Sequence, residues 1–409
     1  MANTIAQSNT AAMYDEIIQE ADIKTGISKS LPIYGKDDEE WQRAMGTVWI
    51  PEAFNVEAQA GIDSTGSTED LTDRMVPVNL DRAWHVKLNI GVKQLRDGRL
   101  TKEGKDAIAR ALKNKVDISC FAEMIDRATM IVRSTTDFVY GNAAVADTLM
   151  NDAGLSGFNQ NLILSIPHHQ QIAETLAVSN FKDTTNLTAF EKLQIPPVAG
   201  FDSMKADYRK NLVGSATTGL TVNGDQSHTV ATYTDVNENT YLDNRQMVLN
   251  VTGATAANAL NGDKIQIAGV EALHPSTYET TGELRTFSVH VGAAGTMTIS
   301  PAIIIAGPDR NCSAAALDTA AITFLNTKTA APSVFYAEDS IYLVPGRLPV
   351  ASEVSNVEPV EMILENGIPV RFTHWWEPDG ESLNIKALLY FDVAVTCPDR
   401  VGVILTNQV

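Results

Sequence analysis

The densest set of possible metal ligands in this 409-residue chain is Asp235-Val236-Asn237-Glu238-Asn239-Thr240-Tyr241-Leu242-Asp243. Asp235, Asn237 and Asn239 stand at the first, third and fifth positions of a twelve-residue calcium loop, whose alternate oxygen ligands converge on one hard cation. Two later positions break the pattern. The sixth is Thr240, where the sharp turn requires glycine, and the twelfth is Gln246, where a bidentate carboxylate is needed. The stretch therefore reads as a polar hairpin tip. His168-His169 is the other candidate. Adjacent residues share neither a helix face nor a strand face, so one ion does not readily take both rings. After Pro167 the pair reads as the opening of a helix. Cys120, Cys312 and Cys397 are odd in number and scattered, with no Cys-x-x-Cys. They argue against a disulfide framework or a zinc site and fit a reducing compartment. Asp37-Asp38-Glu39-Glu40 is a solvated charge run. Phosphate-loop, zinc-protease, nucleophile-elbow and dinucleotide patterns are all missing. With no catalytic constellation in view, the expectation of an enzyme falls, and the residues offer no metal or cofactor site.

The elements that position these residues centre on Thr101–Ser134, which the spacing predicts to be one long helix. Ile108, Leu112, Val116, Cys120, Met124, Ala128 and Val132 form one row, and Ala107, Ala111, Phe121, Ile125 and Thr129 a second. Thr101 is placed to cap its start, Glu103 suits its first turn and Arg133 its last. Such a helix would span about 50 Å, a spine for a whole domain. Before it, Met13, Ile17, Ile18 and Ala21 line one face of a short helix ended by Gly26 and Pro32. That helix is too short to stand alone and needs a docking surface. Thr47–Ile50 reads as a strand. Glu52–Arg82 is rich in Gly, Ser, Thr and Asp and passes into period-two segments through Leu80 and then Trp84–Ile90, an extended hairpin with a flexible tip. Two strands cannot bury their own faces, so this hairpin must lie on something else, such as another copy of the chain.

Helices are predicted over Ala143–Met150 and His169–Ala177, with a buried strand at Leu162–Ile166 between them. From Ser215 to Thr327 helical periodicity gives way to strict alternation, as in Met247, Leu249, Val251 and in Phe287, Val289, Val291. Turns fall at Asn223-Gly224-Asp225, Asn261-Gly262-Asp263 and Gly292–Gly295. Short strands at this spacing predict a compact β-barrel or sandwich inserted between mixed segments. Val334–Tyr336 and Ile341–Val344 read as further strands. Ile385, Ala387, Leu389, Phe391, Val393 and Val395 alternate along another, and a turn at Pro398–Arg400 leads to Val401, Val403 and Leu405. This C-terminal hairpin is expected to complete a sheet begun near Leu88. The fold class is α+β.

Length predicts two or more cores. The formal charge of −19 and the lack of any basic run argue against a free nucleic-acid binder, because phosphates must be met by Lys and Arg. Any nucleic acid nearby is enclosed rather than gripped. A basic start followed by an apolar core is missing, which predicts no secretory signal. No apolar run approaches the length of a membrane span.

Several segments resemble the coat proteins of short-tailed phages of the P-twenty-two type, within the HK-ninety-seven capsid fold. They are Asp15–Ile18, Thr47–Pro51, Leu95-Arg96-Asp97, Val198–Asp202, Ser215–Val222, Asp243-Asn244-Arg245, Gly262–Ile265 with Ala268–Val270, and Val334–Asp339. The resemblance covers nearly the whole chain and implies a layout. An N-terminal arm holds 1–32, and a peripheral domain with the spine helix holds 33–50, 85–140 and 381–409. An extended loop covers 51–84, and an axial domain 141–214 and 328–380. A telokin-like β insertion occupies 215–327. The implied function is a major capsid protein that self-assembles through hexamers and pentamers into an icosahedral shell around double-stranded DNA. Assembly would pass through a scaffolded procapsid, made in the bacterial host cytoplasm, that expands on maturation. Implied partners are the chain itself, a scaffolding protein and a portal protein. Asp15 and Glu16 resemble the face that meets the scaffolding protein. Asp235, Glu238, Asp243 and Arg245 belong to the insertion loop that reaches a neighbouring subunit. That loop holds no Lys or Arg between Asp235 and Asp243, so Arg245 is the nearest cation. The competing reading is a carbohydrate- or protein-binding module on the β insertion, displayed on a virion surface.

Overall fold

The computed structural model describes residues 17, 26–35, 47–52, 73–80, 82–91, 98–178, 198–206, 208–215, 217–228, 232–234, 240–242, 245–346, 359–364 and 367–408. The chain divides into two compact units. One comprises Met1–Ile50, Pro77–Phe121 and Ile341–Ala394, and the other Pro51–Val76, Ala122–Ser340 and Val395–Val409. The fold is mixed α+β, with a predominance of strands among the described residues.

The first unit is built on the strand Ser382–Val395. It pairs antiparallel with Ala83–Gly91, placing Ile385 opposite Leu88, and with Pro369–Glu377, placing Ala387 opposite Phe372. Ile341–Pro345 and Val360–Ile363 complete the sheet. The expected join to a strand near Leu88 is therefore present. Ile385, Ala387 and Leu389 are buried in alternation, and from Tyr390 onward both faces are covered. On the spine helix Ile108, Leu112, Val116 and Cys120 are each essentially inaccessible. A Cβ on Gly104 would stand 3.4 Å from the Leu88 side chain, and the Lys115 ammonium lies 4.3 Å from the centre of the Trp84 ring. The helix thus follows the strand Ala83–Gly91 in the opposite direction.

The spine helix covers Gly98–Arg127, not Thr101–Ser134. Thr101 lies inside the first turns rather than at the cap. At the other end Met130–Arg133 is a strand, pairing parallel with Val401–Leu405. The apolar row through Met124, Ala128 and Val132 suits a helix, but tertiary pairing overrides it.

The second unit holds a five-stranded sheet in the order Met130–Arg133, Val401–Leu405, Ser333–Ala337, Gln160–Leu164, Asp202–Lys205. Helices Tyr140–Asp152 and Ile166–Val178 accompany it, close to the predicted pair. Its core gathers Phe138, Met150, Leu162, Phe201, Phe335 and Ile404. The expected C-terminal hairpin is corrected: Pro398–Arg400 is a single 3-10 turn, and Val401–Leu405 joins this sheet while Ser382–Val395 belongs to the other. Next to the turn both strands are buried on both faces, from Tyr390 to Val395 and from Val401 to Leu405, so alternation there does not reveal which partner each takes.

The same unit contains the predicted barrel. Six strands close on themselves in the order Met247–Thr252, Thr296–Ser300, Thr280–Ala293, Lys264–Leu273, Ala321–Phe324, Leu220–Val222. Met247, Leu249 and Val251 point inward and Val248, Asn250 and Thr252 outward, the alternation read from the sequence. Leu249, Ile265, Phe287, Val289, Met297 and Ile299 fill the interior. The segments entering and leaving the barrel run together. Ser215 N–H donates to the Asn326 carbonyl at 2.7 Å, and Leu212 bridges to Ala330. A Cβ at Gly214 would lie 2.8 Å from the backbone of Lys328 and Thr329, so only glycine permits that approach.

Candidate functional site: the joint between the barrel and the spine helix

A dense set of buried polar contacts lies where the barrel meets the C-terminal end of the spine helix. Alternation places Lys264 on the outward face of its strand, yet it is completely buried. Its ammonium donates to the Ala128 carbonyl at 2.6 Å, to the Asp126 carbonyl at 3.3 Å and to Ser288 Oγ at 3.1 Å. Ser288 stands opposite Lys264 in the ladder and donates to the Asp126 carbonyl at 2.5 Å. The Thr286 hydroxyl donates to the Thr129 carbonyl. A helix leaves its last carbonyls without intrahelical donors and carries its negative pole there. The barrel supplies both the donors and the positive charge.

Around this tripod the charges are paired. Asp126 binds Lys210 Nζ through both oxygens at 2.6 Å, and Asn261 Nδ2 lies 3.4 Å from it. Gly262 turns against Asp126 at φ +91°, and a Cβ there would come within 2.8 Å of Oδ1. Arg127 pairs with Glu123 at 2.8 Å and approaches His290 at 3.4 Å. Burial pulls the Lys264 ammonium down to about 7, against the opposing attraction of Asp126. Asp263 accepts from Leu260 N–H at 2.9 Å and from Asn326 Nδ2 at 2.8 Å, yet burial raises its carboxyl above the usual range. Asn326 also accepts from Lys264 N–H at 3.0 Å and donates to the Val213 carbonyl at 2.8 Å. The entry and exit of the barrel are thereby tied to the residue that caps the helix. Sequence reasoning missed Lys264, since a lysine that alternates with Ile265 and Ile267 reads as solvent-facing. The usable signal was its place directly after the Asn261-Gly262-Asp263 turn.

A second buried carboxylate serves the N-terminal segment. Asp117, on the spine helix within the first unit, accepts from Ser28 N–H at 3.1 Å and from Gly26 N–H at 3.3 Å. Burial raises its carboxyl, although both N–H groups and Lys113 favour the charged form. Residues Ile27–Ser30 form one helical turn just after Gly26, which was expected to end a helix. Of the predicted arm helix only Ile17 is described, and it is helical and buried.

The other predicted residues fall as follows. Asp15, Glu16, Asp235, Glu238 and Asp243 lie outside the described residues. Arg245 is half-buried beside a cleft of about 850 Å³ in the second unit, which Arg285, Arg310, Arg400, Asp399 and Glu283 also line. With both signs of charge on its walls, that cleft has no evident preference for an anion or a cation. Thr240–Leu242 forms a hairpin with Thr232–Thr234 and pairs parallel with the strand Asp73–Asn79, Tyr241 opposite Asp73 and Leu242 opposite Arg74. His168 is a core residue. Its Nδ1 lies 2.7 Å from Ser333 Oγ, its Nε2 2.9 Å from Thr406 Oγ1, and its ring stacks on Phe138 at 4.9 Å. Burial pulls its pKa down to about 4. Among the described residues no group of three His, Cys, Asp or Glu side chains is arranged to hold a metal.

Comparison with known proteins gives a match over nearly the whole chain. A model of the P22 coat protein family, described as gene protein 5, matches residues 1–407. Solved structures also show similarity. A chain of Mycobacterium phage Che8 is 10% identical, covering 93% of this chain and 91% of that one, with a TM-score of 0.47. The capsid of Ralstonia phage GP4 is 9% identical, with 93% and 90% covered and a TM-score of 0.44. The CUS-3 coat protein I-domain is 35% identical over 27% of this chain and 99% of that one, with a TM-score of 0.22.

Proposed function

The chain belongs to the P22 coat protein family, and from that premise we propose how its parts build a shell. As a coat protein it is a structural component of the virion, not an enzyme, and it assembles with copies of itself. The match across residues 1–407 carries this conclusion.

The shell is icosahedral, of the HK-ninety-seven type, built of hexamers and pentamers around double-stranded DNA. It matures by expansion from a scaffolded procapsid assembled in the host cytoplasm, and a portal protein occupies one vertex. Residues 1–32 act as the arm and 51–84 as the extended loop. The peripheral domain takes 33–50, 85–140 and 381–409, and the axial domain 141–214 and 328–380. The telokin-like insertion takes 215–327. The extended loop lies along a neighbouring subunit, and Asp235, Glu238, Asp243 and Arg245 reach across to another. Asp15 and Glu16 meet the basic end of the scaffolding protein, and the buried Asp117 clamp fixes where that arm leaves the spine helix. Interfaces of this obligate kind bury roughly 2,000–5,000 Å² in total. A net charge of −19 keeps the lining from gripping packaged DNA. Repulsion between like-charged subunits is screened by moderate salt, which therefore favours assembly.

The test is sedimentation of the expressed chain with and without its scaffolding partner. Particles far larger than the 44.2 kDa subunit support the reading, and a monomer under every condition overturns it.

A further inference from the structure

Residues 128–134 satisfy the pattern of one conformation and adopt another. Met124, Ala128 and Val132 extend the helical apolar row, and no Gly or Pro interrupts 105–134. The helix nevertheless stops at Arg127. The carbonyls of Asp126, Ala128 and Thr129 are taken by Lys264, Ser288 and Thr286 of the barrel. In a longer helix the same three carbonyls would receive the N–H groups of Met130, Val132 and Arg133, four residues on. The barrel therefore occupies the acceptors that the next two turns require.

The released N–H groups find partners elsewhere. Thr129 donates to the Val401 carbonyl at 3.0 Å and Ser134 to Leu405 at 2.9 Å, with Met130–Arg133 in register against Gly402–Leu405 between them. This is an edge strand with a single neighbour in its sheet. Leaving the sheet breaks one ladder, and helix formation replaces those bonds. A local pattern in conflict with the adopted structure marks a site where two states lie close together.

We propose that residues 128–134 are a two-state segment, a strand while the barrel caps the spine helix and a continuation of that helix when the cap is withdrawn. Conversion lengthens the helix by seven residues, about 10 Å. Seating of the barrel is thereby coupled to the length of the spine. The conformational claim stands on the joint alone; its use, in letting one subunit fit more than one shell geometry, rests on the coat-protein reading.

The test places a histidine pair at Met130→His and Ser134→His in the full-length chain. Four residues apart on a helix, the rings share one face about 6 Å apart and chelate a single Cu²⁺. Along a strand the same positions stand about 13 Å apart and do not. Cu²⁺ affinity is measured by calorimetry with the joint intact and with Lys264→Met. At least a tenfold tighter site in the Lys264→Met background is expected. A folded Lys264→Met protein, its barrel amides still protected from exchange, with unchanged Cu²⁺ affinity overturns the proposal. Should Lys264→Met fail to fold, Ser288→Ala with Thr286→Val weakens the cap while keeping the lysine. Unchanged affinity in that pair of substitutions overturns the proposal equally.

Discussion

Replacing Asp117 with alanine tests how the N-terminal segment is held. The carboxylate receives two N–H groups with unequal surroundings: Ser28 is fully buried, whereas Gly26 is exposed. Without the acceptor, the Gly26 N–H turns to water at little cost. The Ser28 N–H has no such alternative, and a buried unpaired donor costs about 1–3 kcal/mol. Part of that loss is offset because burying the carboxylate is itself unfavourable, as its raised pKa records. The expected net is about 1–2 kcal/mol, or roughly 5- to 30-fold in the local opening equilibrium. Amide exchange of residues 26–31, followed by mass spectrometry, should accelerate by that factor while the barrel amides stay unchanged. Asp117→Asn keeps one oxygen acceptor and should cost less than alanine. The pH dependence follows from the raised pKa. The folded chain binds the extra proton at a higher pH than the unfolded one, so the clamp is strongest in acid. It weakens as pH rises through the window above 3.8 and then levels off. Unchanged exchange at 26–31 in the alanine variant, or an asparagine variant worse than alanine, would refute the reasoning.

His168 gives the opposite slope. Its folded pKa of about 4 lies below the unfolded value near 6.5, so stability is complete above pH 6.5 and is lost as pH falls toward 4. The loss is about 3 kcal/mol in all, of which about 2 should appear by pH 5, and His168→Gln should flatten this limb of a urea-melt pH series. Gly402 sits under the Phe335 ring, where a Cβ would be 2.6 Å from Cε1 and nearer still to two other ring carbons. Alanine in a strand ordinarily improves on glycine by roughly 0.5–1 kcal/mol. Here overpacking reverses the sign, to a destabilisation of about 1–3 kcal/mol in Tm or urea melts that Phe335→Leu should relieve.

Much of the architecture was legible because it depends on local pattern. Met247–Thr252 alternates over the barrel core, and the helix at Tyr140–Asp152 buries Ala143, Ala146 and Met150 at helical spacing. The failures occur where a distant segment decides. Helical periodicity runs past Arg127, and neither the Val401–Leu405 ladder nor the barrel cap leaves a mark within Thr101–Ser134. Pro398–Arg400 reads as a hairpin turn because Phe391, Val393 and Val395 before it and Val401, Val403 and Leu405 after it alternate alike, which conceals their separate sheets. Alternation with Ile265 and Ile267 would turn Lys264 to solvent, but the face it occupies meets the end of a helix. Among the assembly residues, Arg245 is the described one, and the acidic members of the arm and the loop rest on the family resemblance.

The claim beneath all of this is that the subunit completes itself only against its neighbours. Electron cryo-microscopy of particles formed by the full chain, with the proposed scaffolding partner added, tests it directly. Closed icosahedral shells are expected, with the part of residues 51–84 before Asp73 laid on an adjacent subunit, Asp73 and Arg74 kept against Tyr241 and Leu242 of the same chain, and the barrel seated on Asp126–Ala128. Closed-up monomers, or shells in which residues 51–84 pack wholly on the subunit that carries them, would contradict it.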